Sequence, residues 1–164
     1  MATSEKNLSD IGDLPEASSE WCFGIVKSSW NSEITNGLYS GAYDLLTSVG
    51  IPDERIKSFE VPGSFELPLG AQWVIEATDV DAVICLGSVI RGETAHFDYV
   101  CSAVSDGIKE VSLSHNIPVV FGVLTDDNIE QSRARSGGIY GNKGTEAAAT
   151  AVHMLALRDQ LNQE

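Results

Sequence analysis

The sequence predicts one α/β domain, a four-stranded parallel sheet with helices on both faces. Three observations predict it. Short apolar runs alternate with longer stretches of helical apolar spacing four times over. Each apolar run ends in Gly, Pro or small polar residues, as strands do where they hand over to a loop. The length, 164 residues, and the hydrophobic share, 43%, suit a single core. Strand-helix-strand units of this kind connect with right-handed crossovers.

Residues 1–20 are rich in Ser, Asp and Glu and show no apolar period. They read as a flexible acidic N-terminal arm, free in solvent or laid along a neighbouring subunit, ahead of a single domain over 21–164. Residues 21–27 (WCFGIVK) form the first expected strand, and Asn31 or Ser32 can cap the helix over 32–49. Its apolar face is Ile34, Leu38, Ala42, Leu45 and Leu46, and Gly50-Ile-Pro52 ends it. Residues 56–61 are the second strand, stopped by Pro62-Gly63. Ser64 can cap a helix over 65–78, with Glu66 at its positive dipole end and Pro68 tolerable in its first turn. The third strand spans 80–90. A helix over 94–115 follows, stopped by Asn116-Ile-Pro118, and then the fourth strand, 118–124. Thr125-Asp-Asp-Asn128 offers caps for a short helix to Arg135; Ser136-Gly-Gly138 breaks it, and an Ala-rich helix over 142–161 closes the chain.

The formal net charge of -14 argues against nucleic-acid binding through a basic face and against docking on an anionic membrane. No apolar run approaches the roughly 18–20 residues of a membrane span, and the N-terminus lacks the basic-then-apolar order of a secretory signal. Cys22, Cys85 and Cys101 form no CxxC pair and read as small buried hydrophobes in a reducing compartment, which points to the cytoplasm. No histidine or cysteine spacing suits a metal. Residues 137–145 (GGIYGNKGT) look superficially like a phosphate loop, but they lack the Gly-Lys-Ser/Thr run and follow a helix, not a strand.

In an open parallel sheet, ligands bind outside the carboxyl ends of the strands, near helix N-termini. The richest such exit is Leu86-Gly-Ser-Val-Ile-Arg-Gly-Glu-Thr-Ala-His-Phe-Asp-Tyr-Val-Cys101, which carries Glu93, Thr94 and His96. The other exits add Trp30 and Asn31, then Ser64, Phe65 and Glu66, then Phe121 on the fourth strand and Arg135 after it. His96 is the acid/base candidate, since an imidazole can take and give a proton near neutrality; otherwise it is a structural residue at a helix start. Arg135 can grip a phosphate with its planar fork, or simply complement a helix C-terminus. Glu66 is a hydrogen-bond acceptor or a helix-start charge. Trp30 and Phe65 can stack on a flat ring or belong to the core. Arg91 and Lys143 read as surface cations in preference to phosphate groups. His115 and His153 take structural readings.

Taken together, these residues resemble the 6,7-dimethyl-8-ribityllumazine synthase family over about residues 21–161. The resemblance rests on five segments in order: Val61-Pro-Gly-Ser-Phe-Glu-Leu-Pro68, the stretch from Gly87 to Cys101, Phe121-Gly-Val-Leu-Thr125, Asn128-Ile-Glu-Gln131 and Gly141-Asn-Lys-Gly144. It implies a flavodoxin-like three-layer sandwich. It also implies condensation of 5-amino-6-(D-ribitylamino)uracil with 3,4-dihydroxy-2-butanone 4-phosphate, the penultimate step of riboflavin synthesis, with no cofactor or metal. By the same resemblance Trp30 stands at the stacking position, where many relatives have Phe. Ser64, Phe65 and Glu66 match the ribityl-binding segment, and Ser88, Val89, Ile90 and Phe121 the ring-binding positions. Glu93 and Thr94 match the segment that meets the butanone phosphate, Arg135 the phosphate anchor, and His96 the proton-transfer residue. The resemblance further implies homopentamers with sites between subunits, in some members a sixty-subunit shell, and riboflavin synthase as a candidate partner. By that pattern Phe121 and His96 come from one chain and Trp30 from its neighbour, or the reverse. Two other classes compete: a non-catalytic flavin- or lumazine-binding module, which needs neither Arg135 nor His96, and a shell protein with a vestigial site.

Overall fold

A computed structural model describes residues 7–163. Strand β1 (Phe23–Ser28) lies inside the sheet, flanked by β2 (Ile56–Val61) and β3 (Ala82–Ile90), and β4 (Val119–Asp126) lies beyond β3. All three pairings are parallel, with Ser28 opposite Val61, Cys85 opposite Phe121 and Ile90 opposite Asp126. Alternate residues of each buried strand feed opposite faces. Phe23, Ile25, Ile84 and Leu86 face α1 (Ser32–Ser48) and α5 (Lys143–Leu161), while Val26, Val83 and Cys85 face α2 (Leu67–Ala77) and α3 (His96–His115). The result is a three-layer, flavodoxin-like α/β sandwich with strand order β2-β1-β3-β4. The helix after β1 leaves to one face and the helix after β3 to the other, which opens a crevice between the carboxyl ends of these two strands.

Most expected elements occur, with β2 at its expected bounds. The differences have local causes. Trp21 and Cys22 are apolar and buried but precede β1: the Trp21 indole N–H donates to Asp159 at 2.8 Å and the Cys22 amide to the Asp81 carboxylate at 2.8 Å, so the Cys22 amide bonds a side chain instead of the ladder. Ser64 does not cap α2. A single 3₁₀ turn, Ser64–Glu66, precedes the helix, and the Glu66 carboxylate accepts from the Gly63 amide at 3.0 Å. Asn31 is left-handed (φ 56°) and caps nothing with its side chain. Asn128 does cap α4 (Ile129–Arg135), accepting from the Gln131 amide at 3.0 Å. Between α4 and α5 the chain makes a small antiparallel hairpin, β5 (Ser136–Gly138) and β6 (Gly141–Asn142), where the sequence suggested only a helix break. Gly137 in β5 and Gly141 in β6, on either side of the turn, take positive φ.

Of the segment expected as a flexible arm, residues 7–20 hold no helix or strand, and residues 1–6 lie outside the described residues. Leu8 is buried, its amide donates to the Tyr140 carbonyl at 2.8 Å, and Ile11, Leu14 and Ala17 pack on the α1/α5 core. The described part thus lies on its own domain.

Helices α1 and α5 approach closely because small residues face each other. A Cβ on Gly144 would fall 1.8 Å from the Leu38 carbonyl oxygen, a backbone atom that cannot swing away. Glycine in a helix normally costs roughly 0.5–1 kcal/mol relative to alanine. At this position the clash outweighs that gain, so Gly144→Ala is expected to destabilise by about 1–3 kcal/mol. A urea titration with unchanged slope and a lower midpoint would register it; a higher midpoint would contradict the packing.

Candidate active site

The crevice at the β1/β3 exits holds a cavity of about 500 Å³, within the usual range for a small-molecule site. The turn after β1 forms its first wall. The Trp30 amide donates to the Pro62 carbonyl at 3.2 Å, and the Asn31 side chain donates to the Ser88 carbonyl at 3.0 Å, so the turn is pinned to both neighbouring strand exits. Trp30 is thereby left with 73% of its surface exposed. Phe65, 60% exposed, Ser64 and Glu66 come from the 3₁₀ turn after β2; Ser88, Val89 and Ile90 end β3; His96 begins α3. Two large aromatics held open at a cleft are poor core residues and good platforms for a flat ring.

The hydroxyls of Ser64 and Ser88 are buried and have no partner among the described residues. A buried hydroxyl without a partner is costly, and here both line a cavity whose ligand could supply one. Gly87 keeps Ser64 in place: a Cβ there would lie 2.6 Å from the Ser64 hydroxyl oxygen and 2.9 Å from Leu67.

The cavity therefore unites Trp30, Ser64, Phe65, Glu66, Ser88, Val89, Ile90 and His96 within one chain. The expected division set His96 and Trp30 on different chains; here both line one cleft of the same chain. Glu93 and Thr94 are exposed in the loop before α3, outside the lining, and Thr94 accepts a long 3.4 Å bond from the His96 amide. Phe121 and Arg135 are outside it too. Phe121 sits in mid-strand, opposite Cys85, three residues short of Ser88, because β4 runs on to Asp126 instead of ending at 124. Arg135 closes α4, donates to the Gln131 carbonyl at 3.0 Å and stands 5.0 Å from the centre of the Tyr140 ring.

Arg135 is nonetheless distinctive electrostatically. Every other arginine and lysine among the described residues has a carboxylate within 4.0 Å: Lys27, Arg55, Lys57, Arg91, Lys109, Arg133, Lys143 and Arg158 are all paired. Arg135 has none among the described residues, so its charge is not spent on a neighbour. Arg133, two residues away, is held strongly protonated by Glu33 and Glu130. In a chain of net charge -14, an uncommitted guanidinium is the natural seat for an anion.

Other groups offer less. Burial pushes the Cys85 thiol up to about 12, so it is not a nucleophile at neutral pH. Among the described residues no cluster of three His, Cys, Asp or Glu could hold a metal ion, and no helix is long and apolar enough to cross a membrane. Asn31, which the sequence places at the first strand exit without a contact to make, and Val100, to which it gives no site role, both line the cavity. Val100 follows His96 by one helical turn and could have been placed on the same face by spacing. Asn31 reads as a helix cap from sequence, and only its left-handed backbone turns the amide towards β3.

Fold and cleft together define an α/β protein with a small-molecule site at the strand exits, equipped to stack on a ring, accept and donate hydrogen bonds and move a proton. The family whose sequence pattern matches residues 20–159 is described as 6,7-dimethyl-8-ribityllumazine synthase. The chain is 57% identical over 157 residues to a 6,7-dimethyl-8-ribityllumazine synthase of Cytophaga hutchinsonii, an alignment covering 95% of this chain and 98% of that protein. Proteins of the same name from Flavobacterium johnsoniae and Christiangramia forsetii are 51% identical over 162 residues and 52% identical over 161. Those alignments cover 98% and 96% of this chain, and 85% and 95% of the two relatives. The chain belongs to the 6,7-dimethyl-8-ribityllumazine synthase family.

Proposed function

We propose that this protein condenses 5-amino-6-(D-ribitylamino)uracil with 3,4-dihydroxy-2-butanone 4-phosphate to give 6,7-dimethyl-8-ribityllumazine, phosphate and water. The observation that carries the reading is the single cleft holding Trp30, His96 and two serine hydroxyls that have no partner among the described residues, in a chain of this family.

The pyrimidine stacks on Trp30, and the hydroxyls of Ser64 and Ser88, with Glu66, meet its ring and ribityl chain. An amine of the pyrimidine attacks the ketone of the second substrate, and loss of water gives an imine. Phosphate then leaves with the C–O bonding pair as a proton is taken from carbon. After tautomerisation the second amine closes the ring on the remaining carbonyl with loss of another water. Each step takes a proton from one atom and delivers it to another, which an imidazole at the His96 position can do. Holding two substrates in register supplies much of the acceleration.

The butanone phosphate needs a cation, and Arg135 lies outside the cleft of its own chain. Arg135 and Phe121 complete the cleft of an adjacent copy, so the working form is a ring of subunits. The family pattern makes that ring a pentamer, alone or within a sixty-subunit shell, in the cytoplasm, with riboflavin synthase as a candidate partner.

Mixing the purified protein with both substrates tests the reading: the lumazine chromophore should appear, in proportion to enzyme. Tight binding of the pyrimidine without product would favour a binding module instead. Large particles with neither binding nor product would favour a shell protein.

A further inference from the structure

Arg91 is the first residue beyond β3, and its side chain joins two other segments. Its Nε donates to Asp127 at 3.0 Å, just past the end of β4, and its Nη2 donates to Asp98 at 3.1 Å, in the first turn of α3. Its guanidinium carbon stands 4.1 Å from the centre of the Phe97 ring. Phe97 and Asp98 are the two residues after His96. The imidazole of His96 makes no hydrogen bond among the described residues, and its backbone amide has only the long bond to Thr94. The ring is therefore placed by the first turn of α3, and Arg91 is the side chain that grips that turn.

We propose that Arg91 is a positioning residue for His96, locking the first turn of α3 to the ends of β3 and β4 so that His96 is held in the lining of the cleft it shares with Trp30 and Ser88. A stability role explains the arrangement poorly. The partners are well exposed, with 42% of the Arg91 side chain, 62% of Asp98 and 68% of Asp127 open to solvent, and exposed pairs contribute little to stability. A cation beside a helix N-terminus is also disfavoured by the helix dipole, so Arg91 is not there for the helix as such. What it supplies is geometry: a planar fork can hold two carboxylates and lie over a ring at once, which a lysine ammonium cannot.

The proposal rests on His96 being the proton-transfer residue, and its test separates the two ideas. Steady-state rates are measured for wild type, Arg91→Met, Asp98→Asn, His96→Ala and the double variants that add His96→Ala. Arg91→Met and Asp98→Asn should each lower kcat roughly tenfold. KM for either substrate should move less than about threefold, and Tm by no more than about 4 °C. Added to His96→Ala, neither should lower kcat further, because the group they position is gone. Equal losses on both backgrounds, with His96→Ala itself slow, would overturn the positioning role alone. A His96→Ala protein as fast as wild type would overturn the reading of His96 and this proposal with it. Should Arg91→Met fail to fold by circular dichroism, Asp98→Asn, which leaves the guanidinium and Asp127 in place, decides the question; unchanged kcat in that variant would overturn the proposal.

Discussion

Replacing His96 with alanine is expected to lower kcat about 100-fold, at the low end of what a positioned acid/base group contributes. Product should still form. Trp30, Phe65, Ser64 and Ser88, the contacts proposed for the pyrimidine, come from other elements of the cleft and survive the substitution, so the register of the two substrates should be kept. Water can replace an imidazole as proton carrier in an open cleft, only less well. KM for the pyrimidine should therefore change less than about threefold, since the lost interaction belongs to the transition state and not to ground-state binding. Initial rates over a range of pyrimidine concentrations, followed through the lumazine absorbance, separate the two parameters. A wild-type rate in the variant would take His96 out of the mechanism and leave proton transfer to solvent or to the substrate's own phosphate.

Much of the fold could be read from apolar spacing, and the misses are instructive. The bounds of β2 were legible because Pro62 and Gly63 punctuate the chain where the ladder ends. The start of β1 was not, because Trp21 and Cys22 are as apolar as a strand yet send polar groups to Asp159 and Asp81. The β5–β6 hairpin escaped because its residues are small and polar, and its geometry depends on packing against α1, where a Cβ on Gly37 would meet the Ser136 carbonyl oxygen at 2.4 Å. The cleft itself was legible where it is local: Trp30, Ser64, Phe65, Glu66, Ser88 and His96 each lie at or just after a strand end. Phe121 joins the same edge in sequence through the fourth strand and the family resemblance, and the structure puts it in mid-strand, five residues before the end of β4 at Asp126. Arg91 shows the opposite limit. Its residue type suggested either a surface cation or a phosphate group, and only coordinates reveal the two carboxylates and the ring that occupy it.

Arg135→Ala should raise KM for the butanone phosphate about 30- to 100-fold, the loss of one or two charge-assisted hydrogen bonds to a phosphate. Binding of the pyrimidine alone should be nearly unchanged, because Arg135 does not line the cleft of its own chain. The cost falls on one substrate because no other described arginine or lysine is free of a carboxylate partner to take over the anion. The same variant shows where the guanidinium acts. In a ring whose clefts take His96 from one subunit and Arg135 from the next, His96→Ala and Arg135→Ala subunits can complement each other. Random mixing at equal amounts, by denaturation and joint refolding, restores both groups in about a quarter of the sites. If each chain used its own Arg135, every site in the mixture would stay defective, and the mixed protein would show only the mean of its two parents. With the butanone phosphate held well below the variant's KM, recovery of activity well above that mean places Arg135 in the adjacent subunit's cleft. A flat mean would mean that Arg135 reaches its own cleft by a movement of the α4–α5 segment, and the shared site would have to be abandoned.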